Sequence, residues 1–454
     1  MIKIFTPEEA KKTILKRIPP DEIKVTEGML DRIESTFGER INPEEAVRRI
    51  IRDVREQGDE ALLRWSNSLD GFPPDQQIRV PIEDIEKSKQ EIDPAELEAL
   101  KVAAERIRSF YEKQPTHSWF TNDLGGTLGQ FIRPHQRVGV YVPGGTAPLP
   151  SSVLMSAVPA QVAGVKEIVI VTPPARVSPK DASGSKIYPY LPKIILAACA
   201  VIGITEVYAI GGAQAIGALA FGTETIKPVD KIFGPGNLFV TLAKRQVFGI
   251  VGIDGLAGPT ETMIIADENA KPDWVAADLL AQAEHDVLAS AILLTSSKEL
   301  ALQVQAEVEK QTLTLPRKSI LDQSLANQSG IIITTDLDEA IDLNNAYAPE
   351  HLCLAVKDPW SLSEKVKNAG GIFMGEQSFE MLGDYIAGPS HVMPTGGSAR
   401  FASPVNVWDF VHIISLIALD RKTTAEIAPK AAIIARAEGL EAHARSADLR
   451  IKNK

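Results

Sequence analysis

Residues 167–172 read EIVIVT, a β-branched run without a polar interruption. A short apolar run of this kind fits a parallel strand buried on both faces. Downstream, residues 192–202 predict a helix, 206–210 a strand, 213–220 a helix, 231–233 a short strand and 238–248 another helix. Strands alternating with helices at this spacing predict doubly wound α/β layers. Upstream, 127–132 and 138–142 predict two strands. Residues 42–70 and 93–114 predict amphipathic helices, the second with Leu97, Leu100, Ala104, Ile107 and Phe110 three or four apart behind an Asp93-Pro94 start. A second α/β series begins at Met263-Ile264-Ile265. It continues through a helix carrying Gln282 and His285, strand 291–295, helix 298–311, strand 330–334, helix 337–345 and strand 352–356. A loop-rich stretch follows to Ser403. Residues 405–417 and 423–437 are expected to be helical, with a short helix around His443, and residues 1–34 to be short helices broken by Pro19-Pro20. The stretch 173–188 (PPARVSPKDASGSKIY) reads as an exposed loop insertion.

The chain has 454 residues, enough for two to four domains, and its 44% hydrophobic and 24% charged residues are those of a globular protein. Acids outnumber bases 59 to 48, for a net charge of -11, which argues against a nucleic-acid backbone as partner. No apolar run approaches the roughly 18 residues of a membrane span. Met1 to Arg17 lacks the apolar core of a secretory signal, so a cytoplasmic location is expected. Cys199 and Cys353 both lie among apolar neighbours and read as buried thiols in a reducing compartment.

Chemistry gathers at a few places. Gln282 and His285, three residues apart in Gln282-Ala283-Glu284-His285-Asp286, would share a helical face and could offer an oxygen and a nitrogen to one cation. A tetrahedral site needs two more donors, and a Gln–His pair at this spacing is more often a surface feature. Glu350 and His351 follow Pro349 as adjacent candidate bases. His391 and His443 sit beside Gly, Pro or acidic residues. Pro143-Gly144-Gly145, Gly211-Gly212 and Gly234-Pro235-Gly236-Asn237 each separate an expected strand from an expected helix, where open α/β sheets bind ligands. None matches G-x-G-x-x-G, so the usual dinucleotide fingerprint is absent.

Long motifs then add a likeness. VGVYVPGGTAPLPSSVLM (138–155), GGAQAIGALAFGTETI (211–226), KIFGPGNLFVTLAKRQV (231–247), LAQAEHD (280–286), YAPEHL (347–352), GDYIAGPSHVMPTGGSARF (383–401) and RAEGLEAHARSADLR (436–450) resemble the histidinol dehydrogenase family from about Phe37 to Arg450. The resemblance implies oxidation of L-histidinol through L-histidinal to L-histidine, the last steps of histidine biosynthesis, with two NAD and one Zn2+ per subunit. It places zinc ligands at Gln282, His285, Asp384 and His443, the last lent by the partner of a homodimer with shared active sites. Its catalytic pair falls on Glu350 and His351, and its NAD contacts on Tyr141, Gln214 and Asn237. Substrate contacts fall on Thr260, Gln282, His285, Glu350, His351, Asp384, His391, Glu438 and His443.

The implied fold is two incomplete Rossmann-like α/β domains, one inserted in the other, in an intertwined homodimer. Residues 1–34 would form an N-terminal helical segment, 35–140 and 262–404 the domain with the metal and catalytic residues, 141–261 the inserted NAD-side domain, and 405–454 a helical tail reaching the partner. Neutral imidazole at His351 is the expected proton acceptor. Two motifs depart from the family: Thr260 stands where Ser is more usual, and Ser390 where Asn is common. A relative acting on another polyol or a sulfonated diol is the alternative. Glu438 and His391 favour an imidazole–amine substrate over an anionic one, which would want Arg or Lys there. A non-catalytic zinc module would not need Glu350-His351 beside a nucleotide crevice.

Overall fold

The computed structural model describes residues 2–17, 25–73, 77–144, 148–175 and 191–452. Pro19-Pro20, Gly145 and most of the 173–188 stretch lie outside the described residues. Two parallel sheets organise the chain. The five-stranded sheet has the order Val207–Tyr208, Glu167–Val171, Arg137–Tyr141, Lys231–Phe233, Gly252–Ile253. Ile168 to Val171 are buried there, as the EIVIVT run requires. The six-stranded sheet has the order Ile4–Phe5, Gly330–Ile333, Ser290–Thr295, Glu261–Ala266, His351–Ala355, Gly371–Met374. In both, the chain returns past its first-laid inner strand and turns the other way. These reversals lie between Arg137–Tyr141 and Lys231–Phe233, and between Glu261–Ala266 and His351–Ala355. A ligand crevice opens at such a switch point.

Three differences from the sequence reading have physical causes. Residues 411–418 are a strand and not part of a helix: after a 3-10 turn at Val407–Phe410, they pair antiparallel with Thr127–Pro134, which also pairs with Trp119–Thr121. VHIISLIA is rich in β-branched residues, and the partner strand decides between two periods that so short an apolar run leaves open. Second, the helices Pro43–Asp70 and Pro94–Tyr111 do not join the sheet of 261–374. Val47, Ile50, Val54 and Ile107 share one core with Val138, Val140 and Ile216 of the five-stranded sheet and its helices. Apolar spacing defines a helix's buried face but not which sheet that face covers. The expected boundary at 140/141 also cuts a continuous strand. Third, Ile4–Phe5 is a strand at the sheet edge, too short for any periodicity to reveal.

The helix Pro272–Ala283 starts with Pro at its first turn and buries Val275, Ala276, Leu279 and Leu280. It ends at Ala283 with Glu284 as C-cap, so Gln282 is on its last turn and His285 lies just beyond it. The shared helical face expected for the two is replaced by a tight turn, in which the His285 N–H donates to the Gln282 carbonyl at 3.2 Å.

Candidate active site

The helix Leu337–Tyr347 stops at Ala348, whose φ of 53° is the one positive value outside glycine among the described residues. Left-handed backbone costs alanine about 1 kcal/mol, so the surroundings must hold it. Beyond this turn Glu350 and His351 enter the strand His351–Ala355, both buried. Glu350 Oε2 accepts from the Thr260 hydroxyl at 2.6 Å and the Glu261 N–H at 3.1 Å. Burial nevertheless pushes the Glu350 carboxyl up to about 7, against the pull of His351 and these donors.

His351 lies with Nδ1 3.2 Å from the Glu261 carbonyl. The same nitrogen is 3.7 Å from Glu350 and 3.8 Å from Glu380, while Nε2 is 3.6 Å from Asp384 Oδ1. Nε2 is buried without a hydrogen-bond partner among the described residues. Burial opposes charge on this ring, yet Glu380, Glu350 and Asp384 outweigh it and push His351 up to about 10. In this carboxylate-rich setting the protein groups alone hold the ring's proton more firmly than on an ordinary histidine.

Glu380 is the residue that sequence reasoning missed. It sits four residues before Asp384 in the helix Glu380–Tyr385, which puts both carboxyls on one face. Glu380 accepts from the Thr262 hydroxyl and is almost wholly buried. The Gln282 amide satisfies its neighbours when its nitrogen donates to Glu380 Oε1 at 2.5 Å and its oxygen accepts from the Glu261 N–H at 3.0 Å. Burial raises Glu380 to about 7, against the charge of His351. The only sequence signal was the i,i+4 spacing in Glu380-Met381-Leu382-Gly383-Asp384.

Asp384 is half-buried, and burial alone would raise its proton affinity, but His351, His391 and His285 pull it below the ordinary range. His391 Nδ1 lies 2.7 Å from the Asp384 carbonyl. Thr260, Gln282, His285, Glu350, His351, Asp384 and His391 thus share one neighbourhood. Glu438 and His443 do not join it: Glu438 caps the end of the helix Arg421–Ala437 and His443 lies in the first turn of the following helix Glu441–Lys452, with exposed side chains that make no hydrogen bond or ion pair with a described residue. Among the described residues no three His, Cys, Asp or Glu side chains of this one chain close on a metal. Gln282, His285 and Asp384 offer oxygen and nitrogen donors of the kind a divalent zinc accepts.

The five-stranded sheet positions the other expected group. Tyr141 ends the strand Arg137–Tyr141, and its hydroxyl accepts from the Gly212 N–H at 3.2 Å, at the start of the helix Gly212–Phe221. Gln214, in that helix, donates to Asp70 at 2.9 Å, while its buried Oε1 has no partner among the described residues. Asn237 caps the helix Leu238–Val247, accepting from the Phe239 and Val240 N–H groups at 3.0 and 3.2 Å. The loop between is fixed from behind by buried Lys244, which donates to the Gly234 carbonyl at 2.9 Å and pairs with Asp254. Gly234 has φ +103°, and a Cβ there would lie 2.0 Å from the Tyr141 carbonyl oxygen. Gly234→Ala is expected to cost about 2 kcal/mol or more of stability, read in a denaturant melt, because strain and clash add. A melt within 0.5 kcal/mol of wild type, on the scale of an ordinary surface change, would contradict this packing.

A family model described as histidinol dehydrogenase matches residues 36–451. The histidinol dehydrogenase of Deinococcus radiodurans is 52% identical over 433 residues, covering 95% of this chain and 96% of that one. That of Thermus thermophilus is 51% identical, covering 90% of this chain and 94% of its own. The crystal structure of histidinol dehydrogenase from Elizabethkingia anophelis superposes with a TM-score of 0.88 at 35% identity, covering 99% of this chain and 98% of that one.

Proposed function

Because this chain belongs to the histidinol dehydrogenase family, and so oxidises histidinol in histidine biosynthesis, we propose that it does so with NAD and zinc in a homodimer with shared sites. The observation that carries the reading is the buried Glu350–His351 pair facing Asp384, with Gln282 and His285 beside it and His443 left exposed on the tail. Zinc would be held by Gln282, His285, Asp384 and His443 of the partner subunit. When bound, it supplies a positive charge that anchors the substrate's imidazole and amine nitrogens and weakens the proton affinity of nearby groups.

The chain's own residues account for the proton movements. In its neutral form, which a nearby zinc charge would favour, His351 takes the alcohol proton at Nε2, 3.6 Å from Asp384, as hydride leaves the carbinol carbon for NAD, with Nδ1 held against the Glu261 carbonyl. Glu350, near its midpoint at neutral pH, then removes a proton from the water that adds to the aldehyde before the second hydride leaves. Thr260 and the Glu261 N–H fix that carboxyl. Glu438 accepts a hydrogen bond from the substrate's amine N–H, and His391 lines the pocket. Tyr141, Gln214 and Asn237 bind NAD at the switch point of the five-stranded sheet.

The same reading assigns two incomplete Rossmann-like domains, one inserted in the other. It assigns the 405–454 tail to the partner's site. Ile413, Ile417 and Ile433 are 52%, 74% and 67% exposed, an apolar surface that a second subunit would cover. No helix among the described residues is long and apolar enough to cross a membrane; we place the enzyme in the cytoplasm. The test is NADH release: two NADH per L-histidinol, abolished by a chelator and restored by zinc. Equal turnover of simple polyols or sulfonated diols would overturn the substrate assignment.

Glu380→Ala bears on the metal. It strips Gln282 and Thr262 of their shared acceptor, and outer partners of this kind are worth about ten- to a hundredfold in metal affinity. Zinc competition against a graded chelator is expected to show that loss. An unchanged competition curve would rule out the Glu380–Gln282 link.

A further inference from the structure

Arg17 lies ahead of the matched residues 36–451, at the end of the described N-terminal segment. That segment is anchored by Ile4–Phe5, which pairs with Ile331 and Ile332, and by the helix Pro7–Lys12 with its Thr6 capping box. Arg17 then reaches the back of the catalytic turn. Its guanidinium stacks over the Tyr347 ring with Cζ 3.6 Å from the centroid. One fork grips the carboxylate of Glu261, with Nη2 to Oε2 at 2.9 Å. Nη2 also donates to the Tyr347 carbonyl at 2.6 Å and lies 3.3 Å from the Ala348 carbonyl, while Nε donates to the Tyr347 carbonyl at 3.2 Å. These are carbonyls at the end of a helix, which have no partner in the helix itself.

We propose that Arg17 is a positioning residue for the oxidation, holding the left-handed turn at Ala348 and the backbone of Glu261 as one rigid support for Glu350 and His351. This rests on reading those two as the reacting pair. Glu261 is the shared element. Its side chain is gripped by Arg17 and by the Gly396 N–H at 3.2 Å, its own N–H holds Glu350, and its carbonyl holds His351 Nδ1. The strained Ala348 persists only where neighbours fix it, and Arg17 supplies donors on both sides of that residue's helix end. A lysine cannot reproduce the fork, because a single ammonium meets a carboxylate and two carbonyls from one point.

The experiment uses the full chain with zinc and NAD. Arg17→Ala is expected to lower kcat about tenfold to a hundredfold, since misplacement of a reacting group by 1 Å has an effect of that size. KM for L-histidinol and zinc content should stay near wild type, and added guanidinium ion should restore part of kcat. If Arg17→Ala does not fold, Arg17→Lys serves, with kcat expected to remain well below wild type. Wild-type kcat in either variant overturns the proposal, as does a kcat loss that tracks zinc loss and resists guanidinium. A His351→Ala enzyme with normal turnover would instead sink the reacting pair itself; a dead His351→Ala beside a fully active Arg17→Ala sinks only the role given to Arg17.

Discussion

His351→Asn is expected to lose about a thousandfold or more in turnover while keeping its fold and its zinc. The side chain does two things that separate cleanly. Nδ1 faces the Glu261 carbonyl at 3.2 Å, a structural contact that an asparagine amide can imitate. Nε2 points at Asp384 from 3.6 Å with no hydrogen bond, and only an imidazole can carry a proton at that atom. The substitution therefore removes the proton acceptor and leaves the packing nearly intact. His351→Ala removes both and should lose at least as much. Both variants leave Glu350, Glu380 and Asp384 with no counter-cation among them, so a lowered melting temperature is expected for both, and a larger drop for the alanine, which also loses the packing. Steady-state NADH release, with zinc measured by elemental analysis, checks the pair. Turnover of the asparagine variant within tenfold of wild type would move the proton acceptor elsewhere, and Glu350 would be the next residue to test.

Much of the fold was legible because buried parallel strands announce themselves. Glu167–Val171, Lys231–Phe233, Ser290–Thr295 and His351–Ala355 are short apolar runs between turn residues, and each is a strand within a residue or two of the expected bounds. What stayed hidden was partnership. VHIISLIA carries no signal for the strand Thr127–Pro134 that pairs with it, and nothing in the spacing of Val47, Ile50 and Val54 says which sheet they cover. Both are decided by contacts between residues distant in sequence, which local periodicity does not encode.

The site divides in a similar way. Glu350, His351, Asp384 and Gln282 stood out by residue type and motif, whereas Glu380 is one more acid in a loop-rich stretch until its burial against Thr262 and Gln282 is seen. Arg17 was further from view still, because its partners Glu261 and Tyr347 are hundreds of positions away. The location also breaks a rule. Ligands in open α/β sheets sit beyond the carboxyl ends of strands, as Tyr141 and Asn237 do. Thr260, Glu261 and Glu350-His351 instead enter their strands, so the proposed acid–base pair occupies the amino edge of the six-stranded sheet. Strand starts at a site need firm backbone anchors, and the Ala348 turn with its Arg17 clamp provides one.

The tail makes the second large prediction. On the proposed ligand set, His443→Ala should bring zinc content and turnover close to zero, because three ligands would remain of four. The decisive form of the experiment combines two inactive proteins. In a heterodimer of one His351→Ala subunit and one His443→Ala subunit, the site built on the second chain keeps its own His351 and borrows an intact His443. The other site carries both lesions. Heterodimers isolated through two different tags should therefore recover about half the wild-type turnover per dimer, as a two-fold exchange of tails requires. If each tail served its own chain, neither site would be whole and the mixture would stay inactive. The exposed position of His443, and the apolar surface around Ile413, Ile417 and Ile433, favour the borrowed arrangement. Glu438 lies five residues before His443 at the same helix junction, so its exchange follows with it, and Glu438→Gln should pass the same complementation test with a rise in the KM for L-histidinol in place of zinc loss.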